Sequence, residues 1–451
     1  MTGQTGARWL TILGGGLAGS EAAWQAAERG IEVRLIEMRP EKTTGAHRGG
    51  DLAELVCSNS LGSLLPDRAG GVLKRELAGM GSLLMGCARE CRVPAGSALA
   101  VDRREFSRRV TEKIAAHPRI EVVREEARAI PEGPTILATG PLTSPALSSA
   151  LRAFTGIEHL YFFDAIAPIV TADSIDLEKA FSDSRNGLAA DYLNCPLSRE
   201  EYLRLVGELV RAETIPLREF ERAIPDGVRA GAGRFFEGCL PVEVLARRGS
   251  DTLVFGTMRP VGLSDPRTGE RPYAVVQLRQ ENTARTMYNL VGFQTNLRMA
   301  EQDRIFRMIP GLERAEFVRY GQMHRNTFLN APRLLLPTLQ TRARPDLFVA
   351  GQLAGVEGYA GDIATGLLAG WNAARLLQRT EPIVPPEETL IGSLCRYLSS
   401  ADPDNFQPMK ANLGLLPPIE GKRINRRDRS RRMAERAGEV FERWRREAGM
   451  D

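Results

Sequence analysis

Histidine is scarce in this chain, four in 451 residues, and the six cysteines (Cys57, Cys87, Cys91, Cys195, Cys239 and Cys395) include no Cys-x-x-Cys pair. These shortages argue against the common zinc spacings and against a dithiol redox motif. The tightest pair, Cys87-x3-Cys91, has no histidine near it, so no metal site is expected. Long apolar runs are missing too: no stretch approaches the roughly 18 apolar residues of a membrane span. Trp9–Leu13 is apolar but is ended by glycine too soon to serve as a secretory signal. No membrane association is expected, and a reducing, cytoplasmic location with unbridged thiols is. A strong charge bias is also lacking, for the formal net charge is only +4.

What is present is the composition of a globular protein, 43% hydrophobic and 26% charged. The length suits two or three domains. Charge is uneven, however. From Gly421 to Asp451 eleven Lys or Arg face six Asp or Glu, an excess of +5 that exceeds the whole-chain value. Such a segment reads either as a solvated helix laced by i,i+4 ion pairs or as a phosphate-contacting patch for nucleic acid.

The most informative stretch is "TILGGGLAGSEAAW", residues 11–24. Its glycines fall as Gly14-x-Gly16-x-x-Gly19, after a short apolar strand and before an alanine-rich helix over about Leu17–Glu28. That is the context a dinucleotide fingerprint requires. Free N–H groups at the helix start, around Gly15, Gly16, Leu17 and Ala18, suit a diphosphate. A second strand, from Glu32 to Met38, carries Glu37, 23 positions after Gly14 and near the spacing of about 20 for a carboxylate that binds an adenosine ribose. "GPTILATGP" (Gly133–Pro141) reads as a further strand running into a turn at Gly140. "DLFVAGQLAGVEGYAGDIATG", from Asp346, repeats the strand-glycine-helix plan through Gly351 and Gln352. A nucleotide fold split between both ends of a chain is the layout of two-dinucleotide flavoproteins, which favours FAD over NAD as the tightly held ligand.

The expected organisation is therefore α/β: a two-dinucleotide-type, Rossmann-like FAD-binding domain with a mixed α/β insertion and a helical C-terminal segment. Its parts are expected at residues 1–155 (FAD-binding domain, first part), 156–326 (substrate-facing insertion), 327–384 (FAD-binding domain, second part) and 385–451 (helical, basic). Within the insertion, "YFFDAIAPIV", "TLVFGTMRPVGL" and "YAVVQLRQ" read as β-rich pieces, with one helix around Arg199–Ala212.

Four segments offer chemistry. "ELVCSNSLGS" (Glu54–Ser63) sets Cys57 among serine and asparagine rather than aliphatics, either a small buried thiol or a group facing a flavin ring. "GRFFEGCLPVE" (Gly233–Glu243) places Cys239 near Glu237 and Glu243. A thiolate nucleophile there needs a cation, Arg234 or one from elsewhere, because the carboxylates alone oppose it. "GQMHRNTFLN" and "GVEGY" cluster His324, Asn326, Glu357 and Tyr359 where the chain returns to the nucleotide fold.

At these motifs the sequence resembles the bacterial folate- and FAD-dependent tRNA uracil-5-methyltransferase family. The resemblance is carried by GGGLAGSEAAW, ELVCSNSLGS, VPAGSALAVDR, FFEGCLPVE, MRPVGL, QLRQEN, YNLVGFQTNL, MHRNTFLNAP, GQLAGVEGY and FQPMKANLGLLP, nearly the whole chain from Gly14 to about Pro417. One departure is "AGDIATG" (Ala360–Gly366), where the family tends to carry a Glu-Ser-Ala-like stretch. The resemblance implies transfer of one carbon from 5,10-methylenetetrahydrofolate to C5 of a T-loop uridine in tRNA. Reduced FAD would act as methylene carrier and hydride donor, tetrahydrofolate would be released, and NADH or NADPH would reduce the flavin again. It also implies that Cys239 adds to uracil C6 while Cys57 assists beside the flavin, roles that are exchangeable, and that His324, Asn326, Glu357 and Tyr359 are candidates for the folate and flavin pocket. Alternatives are an NAD(P)H-dependent flavoprotein oxidoreductase acting on a small molecule, a non-catalytic RNA-binding protein that keeps FAD, and a wobble-uridine tRNA-modifying flavoprotein, whose relatives are much longer.

Overall fold

The computed structural model describes residues 9–156, 160–183, 191–215, 240–419 and 425–449, without the side chains of residues 160–165, 324, 325 and 426. Its organising element is a five-stranded sheet of neighbouring strands Leu347–Val349, Thr135–Leu137, Trp9–Leu13, Glu32–Glu37 and Ile120–Arg124, all paired in parallel. The central strand buries Leu10, Ile12 and Leu13 completely, as expected where helices cover both faces of a parallel sheet. One edge strand, Leu347–Val349, arrives some two hundred residues after its neighbour Thr135–Leu137, so both ends of the chain build this layer. The fold is accordingly α/β with a parallel nucleotide-binding-type sheet and a helical C-terminal segment.

Two helices cross closely on one face of the sheet, Leu17–Glu28 and Tyr359–Leu377. Their approach depends on missing side chains: a Cβ at Gly366 would stand 2.2 Å from the Ala18 carbonyl oxygen, and one at Gly370 2.4 Å from that of Ala22. Small residues on both partners thus bring the start of each helix to the same end of the sheet.

The middle of the chain forms a second layer, a six-stranded antiparallel sheet. Its neighbouring strands are Phe181–Asp183, Tyr192–Leu197, Ala274–Gln280, Met287–Leu290, Ile169–Thr171 and Phe317–Arg319. Every residue of Ala274–Gln280 is buried. The helix Arg199–Arg211 covers this sheet and starts with a reciprocal cap between Ser198 and Glu201. A ribbon of Leu160–Ala165 paired with Met323–Phe328 runs between the two layers. One β-rich expectation is corrected: within "TLVFGTMRPVGL", Thr252–Phe255 is a single helical turn. Gly256 ends it and Pro260 follows at once, so the apolar run is too short and too interrupted to pair as a strand.

At the C-terminus, buried Glu76 accepts hydrogen bonds from the amides of Leu390 and Ile391, at 2.8 and 2.9 Å, and so anchors the helix Leu390–Ser400. The helix Arg426–Glu447 lies on Ala69–Gly79, burying Met433, Ala434, Ala437 and Phe441. Among the described residues no helix is long and apolar enough to cross a membrane.

Candidate flavin and thiol site

The glycine turn leaves the central strand with the Gly14 amide bonded to the Ile36 carbonyl at 2.8 Å. The Gly15 amide points the other way and donates to Glu37 Oε2, also at 2.8 Å. At Gly16 a Cβ would meet nothing within 4 Å, whereas at Gly19 it would stand 1.7 Å from the Gly14 carbonyl oxygen. The three fingerprint glycines therefore have different jobs: Gly14 adopts φ +100°, Gly16 keeps space open in front of the helix, and Gly19 lets the helix rest on the turn. No side chain caps the helix Leu17–Glu28, and its first turn holds no acidic residue. Its leading N–H groups and positive dipole end face the cleft.

That cleft is lined by Gly14, Gly16, Leu17, Ala18, Glu37, Gly140, Gly351 and Gln352 among others. Gly15 and Gly19, expected among the cofactor-binding residues, do not line it: the Gly15 amide is taken by Glu37, and Gly19 packs against the turn. Glu37 sits where a ribose carboxylate belongs but has further duties. Its Oε1 accepts from the Arg39 amide and Nε at 3.0 and 2.8 Å, and Arg39 is itself held by Glu54 at 2.9 Å. Burial would raise the Glu37 carboxyl, yet the Arg39 charge and these hydrogen bonds hold it below the usual range.

A second cavity continues from the first and shares with it Val56, Pro141, Leu142, Gln352, Tyr359 and Asp362. Its wall carries Cys57, Asn326 and Glu357, so four of the predicted pocket residues, with Tyr359, meet here. Gln352 Nε2 donates to Glu357 Oε1 at 3.0 Å. The amides of Cys57 and Ser58 donate to the Tyr359 hydroxyl at 2.9 and 3.0 Å, a link between residues 301 and 302 positions apart. Burial raises the phenol well above its ordinary value. His324 lies on the Met323–Phe328 strand opposite Asp164, but its side chain is outside the described residues. Cys239, with Arg234 and Glu237, also lies outside them. Glu243, expected beside Cys239, is buried and accepts from Thr295 Oγ1 and the Asn296 amide, each at 2.8 Å, which makes it a clamp within the middle layer.

Sequence reasoning missed two features. Asp362, in the first turn of Tyr359–Leu377, is buried with its Oδ1 lacking a hydrogen-bond partner, and burial pushes its carboxyl well above the ordinary range. Its signal was the "AGDIATG" departure. The other is a set of arginines behind Cys57: Arg103 donates to the Leu55 carbonyl at 2.8 Å, Arg319 to that of Val56 at 2.5 Å, and Arg279 to Ser58 Oγ at 2.8 Å and Asn59 Oδ1 at 2.8 Å. Nothing local in the sequence links these residues. Among the described residues no cluster of three metal-ligating side chains occurs.

The residues fit a bound flavin dinucleotide on structural grounds. The opening at Gly16, the uncapped helix start, the carboxylate at Glu37 and the orphaned Asp362 oxygen all lie along one cleft, which leads toward Cys57.

Comparison with known proteins accords with this geometry. Residues 10–381 match the family described as glucose inhibited division protein A. A methylenetetrahydrofolate–tRNA-(uracil-5-)-methyltransferase TrmFO of Pelotomaculum thermopropionicum is 58% identical over 98% of this chain and 99% of its own. The protein of that name from Moorella thermoacetica is 59% identical over 96% and 97%. Aquifex aeolicus GidA, in its form II crystal, shares the fold with a TM-score of 0.67 at 16% identity, covering 100% of this chain and 75% of that one.

Proposed function

The chain belongs to the glucose inhibited division protein A family and, within it, to the methylenetetrahydrofolate–tRNA-(uracil-5-)-methyltransferases, and from that premise we propose that it transfers one carbon from 5,10-methylenetetrahydrofolate to C5 of a T-loop uridine in tRNA. The observation that carries this reading is the continuity of the dinucleotide cleft with the cavity walled by Cys57. Bound FAD, once reduced at the expense of NADH or NADPH, supplies the carrier for the carbon and the hydride.

The chain's own residues do the remaining work. The opening at Gly16 and the start of the Leu17–Glu28 helix would hold the diphosphate, since the Gly14 and Gly15 amides are already taken by Ile36 and Glu37, and Leu17 and Ala18 line the cleft there. Glu37 would accept from the adenosine ribose, and Gly140, Gly351 and Gln352 line the same cleft. Uracil C5 is a weak nucleophile until a thiolate adds at C6. In that step the sulfur lone pair forms the S–C6 bond, and the C5=C6 pair moves toward C5 as enolate density. Cys239 is assigned this addition and Cys57 the assisting role beside the ring. Asn326, Glu357, Tyr359 and His324 are assigned to the folate and flavin pocket. The target base must leave the T-loop stack, at a cost of a few kcal/mol that backbone contacts offset. We assign those contacts to the exposed Arg247 and Arg248 and to the basic C-terminal helix. Such a reaction on tRNA belongs in the cytoplasm.

Replacing Cys239 with alanine tests the assignment. The variant is expected to bind FAD as the parent does and to transfer no labelled carbon to tRNA. An FAD-loaded Cys239→Ala protein that still methylates would remove Cys239 from the nucleophile's role.

A further inference from the structure

The segment Leu55–Asn59 is gripped from behind by three guanidinium groups. Arg103 comes from the helix Arg103–Ala115, Arg279 from the strand Ala274–Gln280 and Arg319 from the strand Phe317–Arg319. Arg279 and Arg319 are buried, and the Arg103 side chain is 14% exposed. Among the described residues a single buried carboxylate, Glu281, stands against them, paired with Arg103. The Nη2 of Arg103 is buried without a hydrogen-bond partner. Three cations against one anion leave this pocket of low polarity with surplus positive charge, a costly arrangement unless another anion shares the site.

Cys57 lies at the centre of the gripped segment, between Leu55 and Val56, whose carbonyls Arg103 and Arg319 bind, and Ser58 and Asn59, whose side chains Arg279 binds. We infer that Arg103, Arg279 and Arg319 are positioning residues that fix the Cys57 loop and hold the Cys57 sulfur as a thiolate at neutral pH. Nearby cations stabilise the charged form of a thiol and so favour its ionisation. Around the same loop and cavity stand Tyr359, a neutral phenol whose hydroxyl is occupied by the Cys57 and Ser58 amides, then Glu357, Lys410 and, further out, Arg48. Glu357 opposes the effect, while Lys410 and Arg48 add to it. Mutual repulsion is visible in Arg319, which burial and then the charges of Arg103 and Arg48 bring down to about 10, still protonated at pH 7. The other described cysteines differ: burial pushes Cys87 and Cys91 up to about 11, and Cys195 and Cys395 up to about 12. The thiol at the cavity wall is thereby set apart from four silent ones.

The use of that thiolate beside the flavin rests on the one-carbon transfer proposed above, but its ionisation does not, and the two are tested separately. Native protein is pulsed with iodoacetamide across a pH series, and alkylation of the Cys57 peptide is read by mass spectrometry. The inflection is expected at least one unit below the ordinary thiol value of about 8.5. Arg319→Met is expected to raise it and to slow alkylation at pH 7 roughly tenfold, one unit being a factor of ten. Arg319→Lys, which keeps the charge, should restore most of the rate. An inflection at or above 8.5 in the parent protein overturns the inference whatever the variants do. An unmoved inflection in folded Arg319→Met overturns it equally, because a purely structural role for Arg319 would not set the sulfur's ionisation. A low inflection in a protein that transfers no carbon to tRNA upholds the thiolate and sinks the proposed reaction instead.

Discussion

Replacing Gly16 with alanine and, separately, Gly19 with alanine should have opposite effects on folding and on flavin binding. Gly16 has φ −74°, open to any L-residue, and its added methyl would meet no protein atom within 4 Å. The flavin-free protein should be unharmed, or gain about 0.4–1 kcal/mol through a less flexible unfolded chain. The methyl would nevertheless occupy the space in front of the helix start, where a diphosphate must approach the backbone closely. Losing two charge-assisted hydrogen bonds at about 1.5 kcal/mol each costs about 3 kcal/mol, roughly a hundredfold in FAD affinity. At Gly19 the added Cβ would fall 1.7 Å from the Gly14 carbonyl oxygen, a backbone atom that cannot turn aside. The helix would have to lift off the turn, at a cost of about 3 kcal/mol in the flavin-free protein. Thermal unfolding without flavin, with fluorescence titration of FAD, reads both quantities. A Gly16→Ala protein that binds FAD within about threefold of the parent would refute the reasoning. So would a flavin-free Gly19→Ala protein as stable as the parent.

Two further substitutions test other links. Burial holds the Asp362 carboxyl protonated, so its contribution to stability is full below the unfolded value of about 3.9 and is lost as pH rises toward the raised folded value. Asp362→Asn, which mimics the neutral form, should therefore gain Tm on the parent as pH rises from about 3.9 toward the raised folded value, and parallel Tm curves would refute this. Phe441, buried between Arg426–Glu447 and Gly79, should cost about 3 kcal/mol when cut to alanine while leaving FAD affinity unchanged. A loss of FAD binding in that variant would mean that the C-terminal helix reaches the cleft.

The parts of this molecule that are legible in the sequence are those encoded within a few residues. The Leu17–Glu28 helix has the bounds its glycine turn and apolar spacing predict, and Arg199–Arg211 ends one residue short of expectation. The return of the chain to the first sheet is written in the second strand-glycine-helix unit at Asp346. The second job of Glu37, gripping Arg39 and the Gly15 amide, is not written there, because a spacing rule places a carboxylate without counting its neighbours. Nor is the grouping of Arg103, Arg279 and Arg319 behind Cys57, which joins residues more than two hundred positions apart, one on a helix and two on the antiparallel sheet. The short apolar run at Thr252–Phe255 suited a strand as well as a helical turn by periodicity, and the weight of Gly256 and Pro260 just after it was missed.

The central claim is that carbon moves from a folate to a tRNA pyrimidine on this chain. The most direct measurement incubates the flavin-loaded protein with unmodified tRNA transcript, methylenetetrahydrofolate labelled in its one-carbon unit, and NADPH, omitting each component in turn. Label in the T-loop uridine, lost when folate, flavin or reductant is withheld, is the expected result. Unlabelled tRNA in the complete mixture, or methylation whose carbon comes from S-adenosylmethionine, would contradict the account.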